Sequence, residues 1–218
     1  ADAGLGGTTS APFSSGQYNV AMGYRSLFAF TTGNNNTALG MGSLEGLTSG
    51  ASNVAVGAQA AQVLTTGGHN VSVGPEASKA LTIGGENVSL GWRALYSEDV
   101  GDRSVAIGSH ALYSQNSDTD NEDAHNIGIG YYSGFYNVLG TKNVTIGSFA
   151  GFNATGSANT FVGYNAGRGG QTSAPYSSGQ NNTAIGYEAL TNFTTGYENV
   201  AIGYEAGEDI TTGYYNTL

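Results

Sequence analysis

The 218-residue chain has no cysteine, three prolines, one tryptophan and only six lysines and arginines. The missing cysteine removes disulfides and thiolate chemistry and says little about compartment, since many surface proteins do without both. Against sixteen Asp and Glu, so few cations leave a formal charge of −10, so a phosphate backbone would be repelled. Nucleic acid is therefore not an expected partner. No run of about 18 apolar residues offers a membrane span, and the residues from Ala1 onward carry no signal-like pattern. The expectation is a soluble chain without membrane insertion, whose targeting segment has been removed or lies outside it.

What is abundant is glycine, 36 residues of it, with no Gly-X-Y period that would indicate collagen. The regular apolar positions described below argue against disorder. An internal repeat organises the chain, marked by Asn19, Asn36, Asn53, Asn70, Asn87, then Ser104 in the same role, then Asn126, Asn143, Asn159, Asn182, Asn199 and Asn216. Successive marks are 17 residues apart except for intervals of 22, 16 and 23 ending at Asn126, Asn159 and Asn182.

One and three residues after each mark stand apolar or Thr side chains, as in Val54 and Val56, Ile127 and Ile129, Val200 and Ile202. This period-two pattern predicts a short strand with one buried face, the Val and Ile columns inside. The residue between them is small in most copies (Ala38, Ala55, Ser72, Ser89, Ala106, Ala184, Ala201), leaving the opposite face open to close approach; Phe161 departs from this. A glycine follows four residues after each complete mark, from Gly23 to Gly203, where a turn or close backbone approach is implied. Seven residues after the mark stands Ala or Ser, suggesting a second short strand, and Gly precedes the mark by three residues in every copy except at Asp123. Each rung is thus expected to hold two strands and two turns.

Stacked hairpins are the rival arrangement, yet Asn-Gly and Asp-Gly, the strongest hairpin-turn dipeptides, never occur. Parallel coiling accounts for the columns better: an all-β, parallel β-solenoid over residues 1–218, with the asparagines stacked as a hydrogen-bonded ladder. At roughly 4.8 Å per rung, eleven or twelve rungs would span about 55 Å. A longer repeat lies over the short one. Residues 6–19 return at 169–182, an offset of 163, with the same residue at eleven of fourteen positions. This implies an excerpt of a longer fibre built from nine-rung modules.

The N-[VT]-A-[IVL]-G strand followed by a Gly-bounded turn, clearest at Ser104–Gly108, Asn182–Gly186 and Asn199–Gly203, resembles the YadA-like head repeats of trimeric autotransporter adhesins. It is similar also to repeats of phage tail fibres that end in an intramolecular chaperone. The resemblance covers essentially the whole chain and implies a left-handed parallel β-roll whose three copies associate side by side, with apolar columns inside each roll. Rungs of 17 residues are longer than the adhesin repeat, so a single-chain triangular β-helix with about 18 residues per coil stays open as the alternative.

Irregular intervals become loops on one face of a solenoid and are where contacts are expected: Tyr113 to His125, and Arg168 to Asn181 with its counterpart Gly6 to Tyr18. Asp118, Asp120, Glu122 and Asp123 in the first offer hard oxygen ligands suited to Ca²⁺, but without the Gly and distal Glu of an EF-hand; a solvated acidic tip is the plainer reading, and no cofactor is otherwise implied. His110 and His125 flank that loop with no third His or Cys to complete a transition-metal site. A column of Tyr24, Trp92, Tyr131, Tyr164, Tyr187 and Tyr204 follows the strand glycine and would serve either to bind partners or sugars or to cover the roll. Threonine pairs such as Thr31-Thr32 and Thr194-Thr195 read as turn caps.

No phosphate loop or dinucleotide spacing is present. Ser109 and His110, adjacent on an extended segment, should point apart, so no triad is expected. The function expected is a non-catalytic structural and adhesive fibre segment, extracellular on a cell surface or virion. Its partner would be itself, as a homotrimer or end to end, and a receptor or glycan reached through loops and tyrosines. A glycan-depolymerising tail spike and a self-assembling filament subunit are the alternatives.

Overall fold

The structure is a computed structural model that describes residues 2–6, 14–117, 123–170 and 176–218. It is all-β, a parallel β-solenoid of about ten turns with rungs of about 17 residues, and no helix occurs among the described residues. Contacts divide the chain into two compact units, one of Ala1–Ser104 with Asn116–Asp123 and one of Val105–Gln115 with Ala124–Leu218. The first holds β1 (Val20–Met22), β2 (Thr37–Leu39), β3 (Val54–Val56), β4 (Val71–Val73) and β5 (Val88–Leu90). The second holds β6 (Val105–Ile107), β7 (Ile127–Ile129), β8 (Val144–Ile146), β9 (Thr160–Val162), β10 (Thr183–Ile185) and β11 (Val200–Ile202).

Within each unit every strand pairs in parallel with the next in chain order, as where Val54, Ala55 and Val56 face Val71, Ser72 and Val73. The pairing follows the asparagine marks and not a fixed count. Val105 opposes Ile127 across the long interval, Val144 opposes Thr160 across the short one, and Thr160 opposes Thr183 across the longest. The glycine after each strand fixes how closely rungs approach. Gly57 sits at φ +135°, and a Cβ added there would stand 2.6 Å from the carbonyl carbon and oxygen of Gly74.

The structure reverses the expected sidedness of the strands. The small middle residue faces inward and is fully buried in β2 to β6, whereas the flanking Val, Ile and Leu residues face outward and stay half-buried or exposed. The physical reason is interior volume. Leu44, Leu47, Leu64, Leu81 and Leu95, from the half of the rung that follows the strand, are fully buried. Close packing at the density of protein interiors leaves room opposite them for Ala or Ser and not for a second branched column. Alternation reveals a half-buried strand but not which face is inside.

Among the described residues the expected second strand is likewise absent, and one three-residue strand forms per rung. Residues six and eight after the mark adopt left-handed conformations, as at Gln59 (φ 58°) and Ala61 (φ 45°), or Arg93 (φ 54°) and Leu95 (φ 52°). Such residues break the extended pleat, at about 1–2 kcal/mol each for a side chain with a Cβ. Backbone bonds to the next rung nevertheless persist through this segment, from Leu27 N to Ser43 O at 2.9 Å and from Leu44 N to Ala60 O at 3.1 Å.

Candidate functional site

The outward strand residues make a stripe along each unit that is Val, Ile, Leu, Met or Thr at every position and carries no charge. In the second unit Ile185 and Ile202 are 39% and 58% exposed. A chain of net charge −10 therefore bears an uncharged, branched apolar strip on the side of the sheet away from its core.

Beside the strip runs the asparagine ladder. Asn53 accepts from the Asn70 backbone N–H at 3.0 Å and from the Asn70 amide at 3.1 Å, while its own Nδ2 donates to the Gly67 carbonyl at 2.9 Å. The same geometry recurs along Asn19, Asn36, Asn53, Asn70 and Asn87, ending where the Ser104 N–H donates to Asn87 Oδ1 at 2.9 Å. In the second unit it runs from Asn126 through Asn143, Asn159, Asn182 and Asn199 to Asn216. Each side chain ties its rung to the next twice, so the column is a structural clamp. The threonines act similarly: Thr31, Thr48, Thr65 and Thr82 donate their hydroxyls to carbonyls of the following rung instead of capping their own turn.

The tyrosine column is brought together only in part. Tyr164 and Tyr187 stack at 5.5 Å, and Tyr187 and Tyr204 at 5.2 Å with an interplanar angle of 6°. Tyr131 joins edge-on through Phe149. Tyr24 and Trp92 belong to the other unit, where the Arg93 guanidinium lies 5.1 Å from the Trp92 ring centre. Because the stacked rings cover one another's faces, the column offers mainly hydroxyl-bearing edges, with Tyr204 the most open at 72%. A hydrogen bond to Glu205 pushes the Tyr204 hydroxyl up to about 12, and Glu188 raises Tyr187 in the same sense.

Six and nine residues after the mark lie two further columns that sequence reasoning missed. In the first unit they are ionic and polar: Arg25 pairs with Glu45 at 2.9 Å and Arg93 with Glu76 at 2.6 Å, and Lys79 donates to the Gln59 carboxamide oxygen at 3.0 Å. Hydrogen bonding from Arg93 holds the Glu76 carboxyl below the usual carboxylate range. In the second unit the same columns are aromatic. His110, Tyr132 and Phe149 stack in one, with centroids 4.8 Å and 5.8 Å apart, and Tyr113, Phe135 and Phe152 in the other at 4.9 Å and 5.4 Å. The 17-residue spacing of Tyr132 to Phe149 and of Phe135 to Phe152 was the available signal.

Asp118, Asp120 and Glu122 of the suggested Ca²⁺ site lie outside the described residues. Asp123 is exposed and forms an ion pair with Arg103, which also reaches Glu86 at 2.9 Å. Among the described residues no cluster of three metal-ligating side chains occurs. Ser109 and His110 do not point apart as expected: Ser109 Oγ lies 2.8 Å from His110 Nδ1. His110 is left-handed (φ 58°) in a turn and not on a strand, so its side chain swings back toward its neighbour. The imidazole is 7% exposed, flat against Tyr132 and flanked by Tyr113 and Phe135, an environment that locks it in a ring stack.

Where the 113–125 insertion leaves the rung, the inward Leu column turns polar. Buried Glu98 accepts from the Gly101 N–H at 2.7 Å and from the Ser117 N–H and hydroxyl at 3.2 Å each, which anchors the start of the insertion. Gln115 accepts from Asn126 Nδ2 at 3.0 Å in the other unit.

At its described residues the other irregular segment makes the same hydrogen bond in both copies. Ser14 Oγ donates to the Phe30 carbonyl at 2.8 Å, and Ser177 Oγ to the Phe193 carbonyl at 2.9 Å. Each copy borders an open cleft, one lined by Ser15, Gln17, Tyr18, Thr32, Asn34 and Asn35, the other by Ser178, Gly179, Gln180, Asn181, Thr195 and Tyr197. Set against known proteins, the chain matches no family model, no curated protein and no solved structure.

Proposed function

We propose that this chain is a non-catalytic structural and adhesive segment of an extracellular fibre, displayed on a cell surface or virion, in which three copies associate through their outward apolar strips. The observation that carries the reading is the sidedness of the strands, with Val, Ile and Leu outside and Ala and Ser inside. An uncharged branched strip left in water is unfavourable, and burying each half-exposed Val or Ile would contribute roughly 0.5–1 kcal/mol. The occupant that fits is another copy of the chain, because only a surface with the same rung repeat can match side chain to side chain along the length. The number three rests on the resemblance to trimeric adhesin repeats. Rung-to-rung asparagine, threonine and backbone bonds supply stiffness, and the loops between rungs supply contacts.

Val71→Asp with Val73→Asp tests this reading. Both side chains point outward, so the variant should keep its β circular dichroism while its solution mass falls to that of one chain. An unchanged oligomeric mass, or a wild-type mass of one chain, would remove the basis for the strip as an interface.

A further inference from the structure

The two clefts described above occupy corresponding positions in the two copies of the longer repeat. They lie 163 residues apart, one in each unit, and Ser15, Gln17 and Thr32 correspond to Ser178, Gln180 and Thr195. We propose that each cleft binds a neutral saccharide.

Duplication alone would make the copies alike, so what matters is which side chains stayed alike. Ser14 and Ser177 have a structural duty, bonding the Phe30 and Phe193 carbonyls. Gly16 and Gly179 have another, since a Cβ on either would collide with a carbonyl of the next rung. Ser15, Gln17 and Thr32 have no such duty. They are exposed, and among the described residues their side chains make no hydrogen bond within the chain; the same holds for Ser178, Gln180 and Thr195. Elsewhere on these two rungs Arg25 stands against Glu188 while Tyr24 and Tyr187 match, and around the clefts Tyr18, Asn34 and Asn35 stand against Asn181, Tyr197 and Glu198.

The main chain already fixes the site without help from those side chains. Asn35 N–H donates to Gln17 O at 3.0 Å, and Glu198 N–H donates to Gln180 O at 3.0 Å. The Gln17 N–H is satisfied by Asn34 Oδ1 at 2.7 Å. A carboxamide and two hydroxyls therefore project from a held backbone with donors and acceptors free.

The lining chemistry selects the ligand class. Carboxamides and hydroxyls donate and accept together, which matches the hydroxyls of a sugar. One exposed tyrosine stands at each cleft, Tyr18 in the first and Tyr197 in the second, and offers an apolar ring to the carbon face of a pyranose. No lining residue is charged, so a phosphate, sulfate or carboxylate group would find no cation, on a chain that is already acidic. The first cleft measures about 490 Å³ and the second about 260 Å³, room for one or two sugar rings. This assigns a ligand chemistry to the attachment role proposed above and stands or falls separately from the trimer, since each cleft is complete within one chain.

The test is binding of the full chain to a glycan array carrying neutral hexose and N-acetylhexosamine oligosaccharides beside sialylated and sulfated ones, followed by titration calorimetry with the best neutral oligosaccharide. The account expects neutral glycans to be preferred, two sites per chain, and a dissociation constant on the order of 1 mM per site, as for a small, open contact. Gln17→Ala with Thr32→Ala should reduce the stoichiometry from two to one without altering the remaining site. Adding Gln180→Ala with Thr195→Ala should abolish binding while the melting temperature stays unchanged. Absence of binding to every neutral glycan, preference for acidic ones, or full binding by the fourfold variant would each overturn the proposal. Glycan binding by a single-chain species would leave it standing while removing the trimer.

Discussion

Phe161 occupies the volume that Gly167 leaves: a Cβ added to Gly167 would stand 2.5 Å from Cε1 of the Phe161 ring. In other rungs the same pair of positions is Ala with Leu, as at Ala38 and Leu44 or Ala184 and Leu190. The neighbouring rung shows an intermediate exchange, Thr145 with Gly151, where an added Cβ would lie 2.6 Å from Thr145 Cγ2. Interior volume is thus traded between the strand and the turn that faces it.

Phe161→Ala should therefore cost about 3–5 kcal/mol as a core cavity. Gly167→Leu should recover most of it when combined with Phe161→Ala, to within about 1.5 kcal/mol of the wild type, because Leu27, Leu44 and Leu190 already adopt the left-handed conformation that Gly167 holds at φ 53°. Urea denaturation of the two single variants and the double measures this. A double variant no more stable than Phe161→Ala would show that the volumes are not exchangeable.

Replacing Asn53 by Ala leaves the Gly67 carbonyl and the Asn70 N–H without their partners in a buried column. At about 1–3 kcal/mol for each orphaned group, the expected loss is roughly 2–6 kcal/mol. A thermal shift no larger than that of an exposed Ser49→Ala control would mean that water replaces the ladder bonds.

Two glycines separate backbone strain from rung contact. Gly57 and Gly203 share a φ near +135–139°, closed to other residues, but a Cβ on Gly57 meets the Gly74 backbone at 2.6 Å whereas on Gly203 it meets only Ala206 Cβ at 3.9 Å. Both substitutions to Ala carry strain of about 1–3 kcal/mol. Gly57→Ala must also push two rungs apart, so it should be clearly the more destabilising in chemical denaturation. Equal losses would locate the whole penalty in φ.

Such differences mark what was legible in the sequence and what was not. The rung length, the strands and their parallel register could be read because Asn and Gly recur wherever the backbone needs a side-chain clamp or has no room for a Cβ. The sidedness of Val54 and Val56 could not, because alternation is identical for either face, and the deciding volume belongs to Leu44 and Leu64 elsewhere in the rung. The second strand was misread because small residues such as Ala60 and Ala77 are equally consistent with a turn through left-handed residues. The Ser109–His110 contact followed from that same turn. The polar column at Glu98 and Gln115 was invisible because its meaning depends on the insertion it anchors.

The Tyr204 hydroxyl, raised to about 12 by its hydrogen bond to Glu205, gives a pH test. A folded-state value above the ordinary 10 means the interaction stabilises fully below pH 10 and is lost as pH rises through 12. Ultraviolet titration of the wild type minus Tyr204→Phe should show a hydroxyl that ionises near pH 12, and Glu205→Gln should bring it down. An unshifted Tyr204 in the wild type would remove the bond from the account.

The outward apolar strip is the centre of the functional reading, and the solution mass of the wild-type chain tests it most directly. Sedimentation equilibrium over a tenfold range of concentration should return three times the 22.2 kDa chain mass. A mass of 22.2 kDa across that range would contradict it and leave a single-chain solenoid with an exposed aliphatic face.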